Sequence, residues 1–215
     1  MEKKFVDVRL NFHEAKQLAE LFAISDDLKY VFHTGKLFNE IYKPSENSEP
    51  NYPYDKNALI SRSMWNSMLI AYARCFATGV RYGLSPKIFD THEQAVEIKK
   101  SHKYFIDMRS KDIAHSINSK ETSETVALLS DIKEKEKKVE TIVCYGMRYI
   151  GGKSEVEVLC NLTVIANKYI ENEVAKYQEI VLKKAREIDI EKLYKFPKSR
   201  FIAPGNEEAG KPRNR

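Results

Sequence analysis

The chain has 215 residues, 42% of them hydrophobic, enough for one full core, and carries a formal charge of +5 at pH 7. Residues 198–215 hold Lys198, Arg200, Lys211, Arg213 and Arg215 against Glu207 and Glu208, a net +3, so the remainder is close to balanced and the total charge alone does not mark a nucleic-acid binder. The longest apolar run, residues 68–73, is far short of the roughly 20 that span a bilayer, MEKKFVDVRL lacks a signal-like apolar stretch, and Cys75, Cys144 and Cys160 form no CxxC or Cys/His set, which leaves a cytoplasmic chain with buried thiols, no metal site and no cofactor.

In chain order, Val6, Val8, Leu10 and Phe12 alternate with polar residues, as in a short half-buried strand. A helix is expected next, with Asn11 and Glu14 at capping-box spacing and Ala15, Leu18 and Phe22 on one face. Ser25 restarts it, and Leu28, Val31, Phe32, Phe38 and Ile41 carry the following stripe. KPSENSEPNYP then breaks the pattern as a surface loop. Residues 55–82 read as the strongest helix, because Trp65, Leu69, Tyr72 and Phe76 recur at i, i+4, i+7 and i+11. Arg74 and Arg81 fall on another face of it, and Gly83 and Pro86 end it. A further helix is predicted over residues 91–115, with Thr91 as N-cap and Gln94 at the capping-box position.

The pattern then changes to period two. TVALLSD and VETIVCYGMRY read as two strands around the charged turn KEKEKK, a hairpin inserted at about 124–150 that the N-terminal strand could join. Ser154 and Glu157 have capping-box spacing ahead of a long helix with Leu162, Ala166, Ile170, Val174, Tyr177 and Val181 on one face. The expected fold is mainly α: an antiparallel bundle of four to five helices with a small inserted β-hairpin, one domain over 1–196, followed by a basic, disordered tail at 197–215.

Three candidate sites can be weighed by chemistry. His13, His33, His92 and His102 share no ligand spacing and read as surface or packing residues. GMRYIGGKS, residues 146–154, puts Met147 where a P-loop needs its first glycine, which excludes a nucleotide-hydrolase loop and leaves only a helix N-terminus beside Lys153. DMRSKDIAHS, residues 107–116, is more telling. On a helix Arg109, Asp112 and His115 form one i, i+3 polar row, and Arg109 shares an i, i+4 file with Phe105 and Ile113. That row reads either as a surface ion pair between Arg109 and Asp112 or as half of an active site.

DMRSKDIAHS resembles the R-x(4–6)-H motif of the HEPN superfamily of all-helical domains, with Ser110 where that motif more often has Asn, Asp or His. Around it, YFIDMRSKDIAHSIN and WNSMLIAYARCFATGVR are similar to uncharacterised bacterial HEPN-like proteins of toxin and abortive-infection type. The resemblance implies a homodimer in which two motif helices meet at a two-fold axis and bring both copies of Arg109 and His115 to one cleft. It implies a metal-independent endoribonuclease, kept in check by an antitoxin or regulatory protein in toxin–antitoxin or phage-defence systems, with Arg109 and His115 catalytic and Ser110 and Asp112 supporting. The other reading of the same resemblance is a non-catalytic HEPN-like interaction or RNA-binding module.

Overall fold

The computed structural model describes residues 5–42, 56–77, 82–113, 121–133 and 135–198. Its helices are α1 (His13–Ile41), α2 (Lys56–Phe76), α3 (Ala95–Met108), α4 (Lys153–Glu187) and the short α5 (Ile190–Tyr194). A single 3₁₀ turn, Pro86–Phe89, precedes α3, and the hairpin strands β1 (Glu121–Leu129) and β2 (Val139–Arg148) separate α3 from α4. The fold is thus mainly α with one small antiparallel sheet. No helix among the described residues is long and apolar enough to cross a membrane.

The core lies where α1, α2 and α4 meet. Trp65, Leu69 and Tyr72 of the α2 stripe are fully buried, as are Leu21, Ile24, Leu28, Val31 and Phe38 from α1 and Val156, Leu159, Ala166 and Ile170 from α4. Large side chains buried this completely contribute about 2–3 kcal/mol each. Gly35 sets how closely α1 approaches α4, because a Cβ there would stand 2.3 Å from the Cys160 sulfur and 3.1 Å from Val156. Gly151 does the same beneath the indole of Trp65, whose ring carbons would lie 2.4 Å from an added Cβ.

Several sequence expectations are corrected. Residues 5–11 form no strand: Val8, Leu10 and Phe12 are half-buried and their polar neighbours exposed, so the alternation is present, but among the described residues the sheet consists of β1 and β2. The segment is instead tied down by the Arg9 N–H, which donates to the Pro197 carbonyl at 2.7 Å. Ser25 does not restart a helix; it sits inside the continuous 29-residue α1 and its hydroxyl donates to Asn167 Oδ1 of α4 at 2.9 Å, which satisfies a polar group in the packed face. Phe12, without a side-chain hydrogen bond, is the N-cap of α1 in place of Asn11, and Phe22 points outward. Helix α3 starts after Gln94 rather than at Thr91, and α4 starts after Gly152, whose N–H donates to the Glu155 carboxylate at 3.0 Å. Cys75 and Cys160 are buried, but Cys144, facing outward from β2, is exposed.

The expected hairpin is present, with Val126 opposite Val143 and a register shift between Leu128 and Leu129, but the alternation does not translate into a buried face: among the described strand residues only Val126 and Val143 are half-buried. The interhelical loop expected at KPSENSEPNYP and the tail beyond residue 198, together with Arg81 and His115, lie outside the described residues.

Candidate functional site

Arg109 stands at the junction where α3 gives way to a π-helical turn, Arg109–Ile113. Its N–H still donates to the Phe105 carbonyl, closing the last α-turn, after which the backbone widens. Single π turns are rare and recur at functional sites, because they re-aim side chains without ending the helix. The i, i+3 row expected for Arg109 and Asp112 presupposed α-helical spacing and is corrected here: the wider turn changes the angle between successive residues. The backbone of Asp112 is described, but its side chain, like His115 as a whole, is not.

The Arg109 side chain is exposed and makes no ion pair among the described residues. The nearest acid in sequence is already engaged: the Asp107 carboxylate accepts from Lys103 at 2.7 Å and faces Lys111 at 3.6 Å. The Lys103 hydrogen bond holds the Asp107 carboxyl below the usual carboxylate range. An arginine next to an acid with two other cationic partners keeps its forked donors for something else.

Arg109 and half-buried Ser110 line an open cavity of about 280 Å³ between the end of α3, the end of α2 and Pro86. Arg74, at the last turn of α2, lines it too, with its guanidinium 3.4 Å from Asp27 of α1. The apolar walls are Phe76, Pro86 and Ile106. The fourth polar group is His102, which sequence reasoning set aside as a packing residue.

His102 is 7% exposed and caged by aromatic rings, with centroids at 4.4 Å for Phe76, 5.4 Å for Phe89 and 5.8 Å for Tyr72. The Tyr72 hydroxyl and His102 Nδ1 are 2.8 Å apart. Tyr72 is fully buried and has no other hydrogen-bond partner among the described residues, so its hydroxyl must be the donor; the reverse arrangement would leave a buried O–H unpaired at a cost of about 1–3 kcal/mol. His102 Nδ1 therefore accepts and Nε2 carries the proton. Burial pushes the imidazole pKa down to about 4, so the ring is neutral at physiological pH. The signal that would have found it is its spacing: Ile106 and Arg109 follow at i+4 and i+7, on the same side of α3.

A second polar cluster lies across α3. The Glu155 carboxylate, at the third residue of α4, accepts from Tyr104 of α3 at 2.6 Å, from Tyr149 ahead of α4 and from the Gly152 N–H. Burial, reinforced by the hydrogen bond to Glu155, raises the Tyr149 phenol to about 12 and pushes the Tyr104 phenol further up. These phenols stay protonated and act as donors to a carboxylate that also complements the positive end of the α4 dipole. The cluster joins α3 to α4 and so positions the helix on which Arg109 sits. Among the described residues, no three His, Cys, Asp or Glu side chains gather closely enough to share a metal ion.

The structure therefore brings together Arg109, Ser110, Arg74 and His102. His13, His33 and His92 do not line this cavity. No family model, no curated protein and no solved structure matches the chain.

Proposed function

We propose that the chain is a metal-independent endoribonuclease of the HEPN type, acting in the cytoplasm as a toxin or phage-defence effector. The observation that carries this reading is the Arg109 guanidinium: exposed, free of ion pairs among the described residues, and set on a cavity rim with Ser110. Such a group can fork onto the non-bridging oxygens of a phosphodiester and stabilise the extra negative charge of a pentacoordinate transition state. In this reaction the 2′-oxygen of RNA bonds to phosphorus and the bond to the 5′-oxygen breaks. The 2′-hydroxyl proton passes to a base and the leaving oxygen takes up a proton, giving a 2′,3′-cyclic phosphate and a 5′-hydroxyl. His115 takes the proton-transfer role, since an unperturbed imidazole titrates close to neutral pH. Ser110 supports the phosphate and Asp112 orients a partner. A homodimer would set two such half-sites face to face, and an antitoxin or regulatory protein would cover them.

The non-catalytic alternative, a HEPN-like module that binds RNA or a protein, draws support from a specific feature of the cavity. Arg74, Arg109, Ser110 and neutral His102 can all donate hydrogen bonds, and none of them is a base poised near pH 7. Binding is within their reach; removing a proton falls to His115.

Expression of wild type, Arg109→Ala and His115→Ala at matched levels, followed by sequencing of RNA ends captured through 2′,3′-cyclic phosphates, separates the two. Catalysis predicts growth arrest and new cyclic ends with wild type alone. Identical growth and RNA profiles for all three would sink the nuclease reading.

A further inference from the structure

The catalytic reading uses Arg109 at the cavity rim but leaves its floor unexplained. A buried polar side chain lining a partly apolar pocket together with two exposed arginines is an arrangement that small-molecule sites use to fix orientation. We propose that this cavity seats one RNA base, with His102 Nε2–H donating to an acceptor on the base edge while Arg109 and Arg74 hold the adjoining phosphate. The inference rests on the RNA reading of the same site and adds its recognition element.

Three features support it. First, much of the lining is apolar: Phe76, Pro86 and Ile106 border the cavity together with Ala73 and Ala77. Stacking on such surfaces holds any base, so selectivity has to come from a polar contact. Second, that contact is pre-set. Tyr72 fixes the His102 tautomer from behind, and the cage of Phe76, Phe89 and Tyr72 rings fixes its orientation, so the Nε2–H is a donor with little freedom to turn. Third, the size fits. A volume of about 280 Å³ lies at the small end of ligand sites, which suits a single nucleotide unit and no larger ligand. Arg74 shares its charge with Asp27 and Arg109 does not, so Arg109 carries the larger part of phosphate binding.

The test uses 2′-O-methyl tetranucleotides, which cannot be cut by their own 2′-oxygen, labelled for fluorescence anisotropy and made with each of the four bases or with an abasic residue at one position. Wild type is expected to prefer one base over the abasic position by about tenfold, the size of one stacked and hydrogen-bonded base. The double variant Tyr72→Phe/His102→Phe removes donor and buried partner together, so the cage stays apolar and packed. It should lose discrimination among bases and keep affinity for the abasic oligonucleotide. His102→Gln, whose amide can donate from nearly the Nε2 position, should restore part of the preference. Arg109→Ala should weaken all five oligonucleotides alike. The proposal is overturned if wild type binds none of them, if it binds the abasic oligonucleotide as tightly as the others, or if the double variant keeps the preference. Cyclic-phosphate ends whose sequence profile ignores His102 would overturn this inference and leave the nuclease reading standing. His102-dependent base preference without any cyclic ends would do the reverse.

Discussion

At His102, α3 meets α2 through one neutral hydrogen bond inside a cage of rings; two residues further on, at Tyr104, it meets α4 through a charged carboxylate at the edge of solvent. Both junctions use a tyrosine hydroxyl as donor. The acceptors differ, and so do the consequences. The neutral junction is poised to fail in acid, when His102 must take up a proton that its surroundings disfavour. The charged one is poised to fail in alkali, when the phenols must lose theirs beside an existing negative charge. A single helix is thus held by two fastenings with opposite pH sensitivity, and the one that borders Arg109 is the one built without charge.

Losing the charged junction should cost the fold most. Glu155→Leu would strand two tyrosine hydroxyls and the Gly152 N–H, and should cost about 3 kcal/mol in urea denaturation, since hydrogen bonds to a charged group contribute roughly 1.5–3 kcal/mol each. Should that variant unfold no more easily than wild type, the carboxylate is not what joins α3 to α4.

Acid should come next. The folded pKa of His102 is about 4 and its reference value is 6.5, so below 6.5 the unfolded chain binds the proton more readily than the folded one. This contribution is intact above about pH 6.5 and declines as pH falls toward 4, amounting to about 2 kcal/mol lost between pH 7 and pH 5. The Tyr72→Phe/His102→Phe variant should lack this component of the pH dependence. At the other extreme, raised phenol pKa values at Tyr104 and Tyr149 mean that the folded chain holds those protons more tightly, so stability should fall as pH rises beyond 10 toward the folded values, and Tyr149→Phe should flatten that decline.

The neutral junction alone should give the mildest loss. Tyr72→Phe alone leaves His102 Nδ1 buried without its donor and should cost about 1 kcal/mol, whereas the double variant, which removes both partners, should recover most of that loss. A double variant clearly less stable than Tyr72→Phe would mean that the pair is worth more to the fold than its replacement by packed rings.

What could be read from the sequence divides along the same line between local and distant causes. The stripe of Trp65, Leu69 and Tyr72 and the alternation of Val139, Thr141 and Val143 are local periodicities, and each corresponds to the element it suggested. Ser25 was misleading because its partner, Asn167, is on another helix. Val8, Leu10 and Phe12 show strand-like burial without a strand, since among the described residues no strand pairs with them. For the site, Arg109 and Ser110 could be picked out by their motif. His102 could not be picked out that way, because its cage is drawn from Tyr72 and Phe76 on α2 and from Phe89 in the turn before α3. The π-helical turn leaves no compositional mark in RSKDI at all.

That turn has a consequence for how the motif tolerates changes in length. A π turn holds one residue more than the α-turn it replaces, so it behaves as a one-residue insertion absorbed within a helix. Deleting a single residue between Arg109 and Ile113 would let the helix close in α-register with its direction beyond Arg109 kept, whereas closing the turn without a deletion would rotate whatever follows by about 100° around the axis. Spacing between the arginine and the histidine is therefore a rotational setting as well as a count. Two chains with the same number of intervening residues, one with this wide turn and one without, would aim the histidine in different directions.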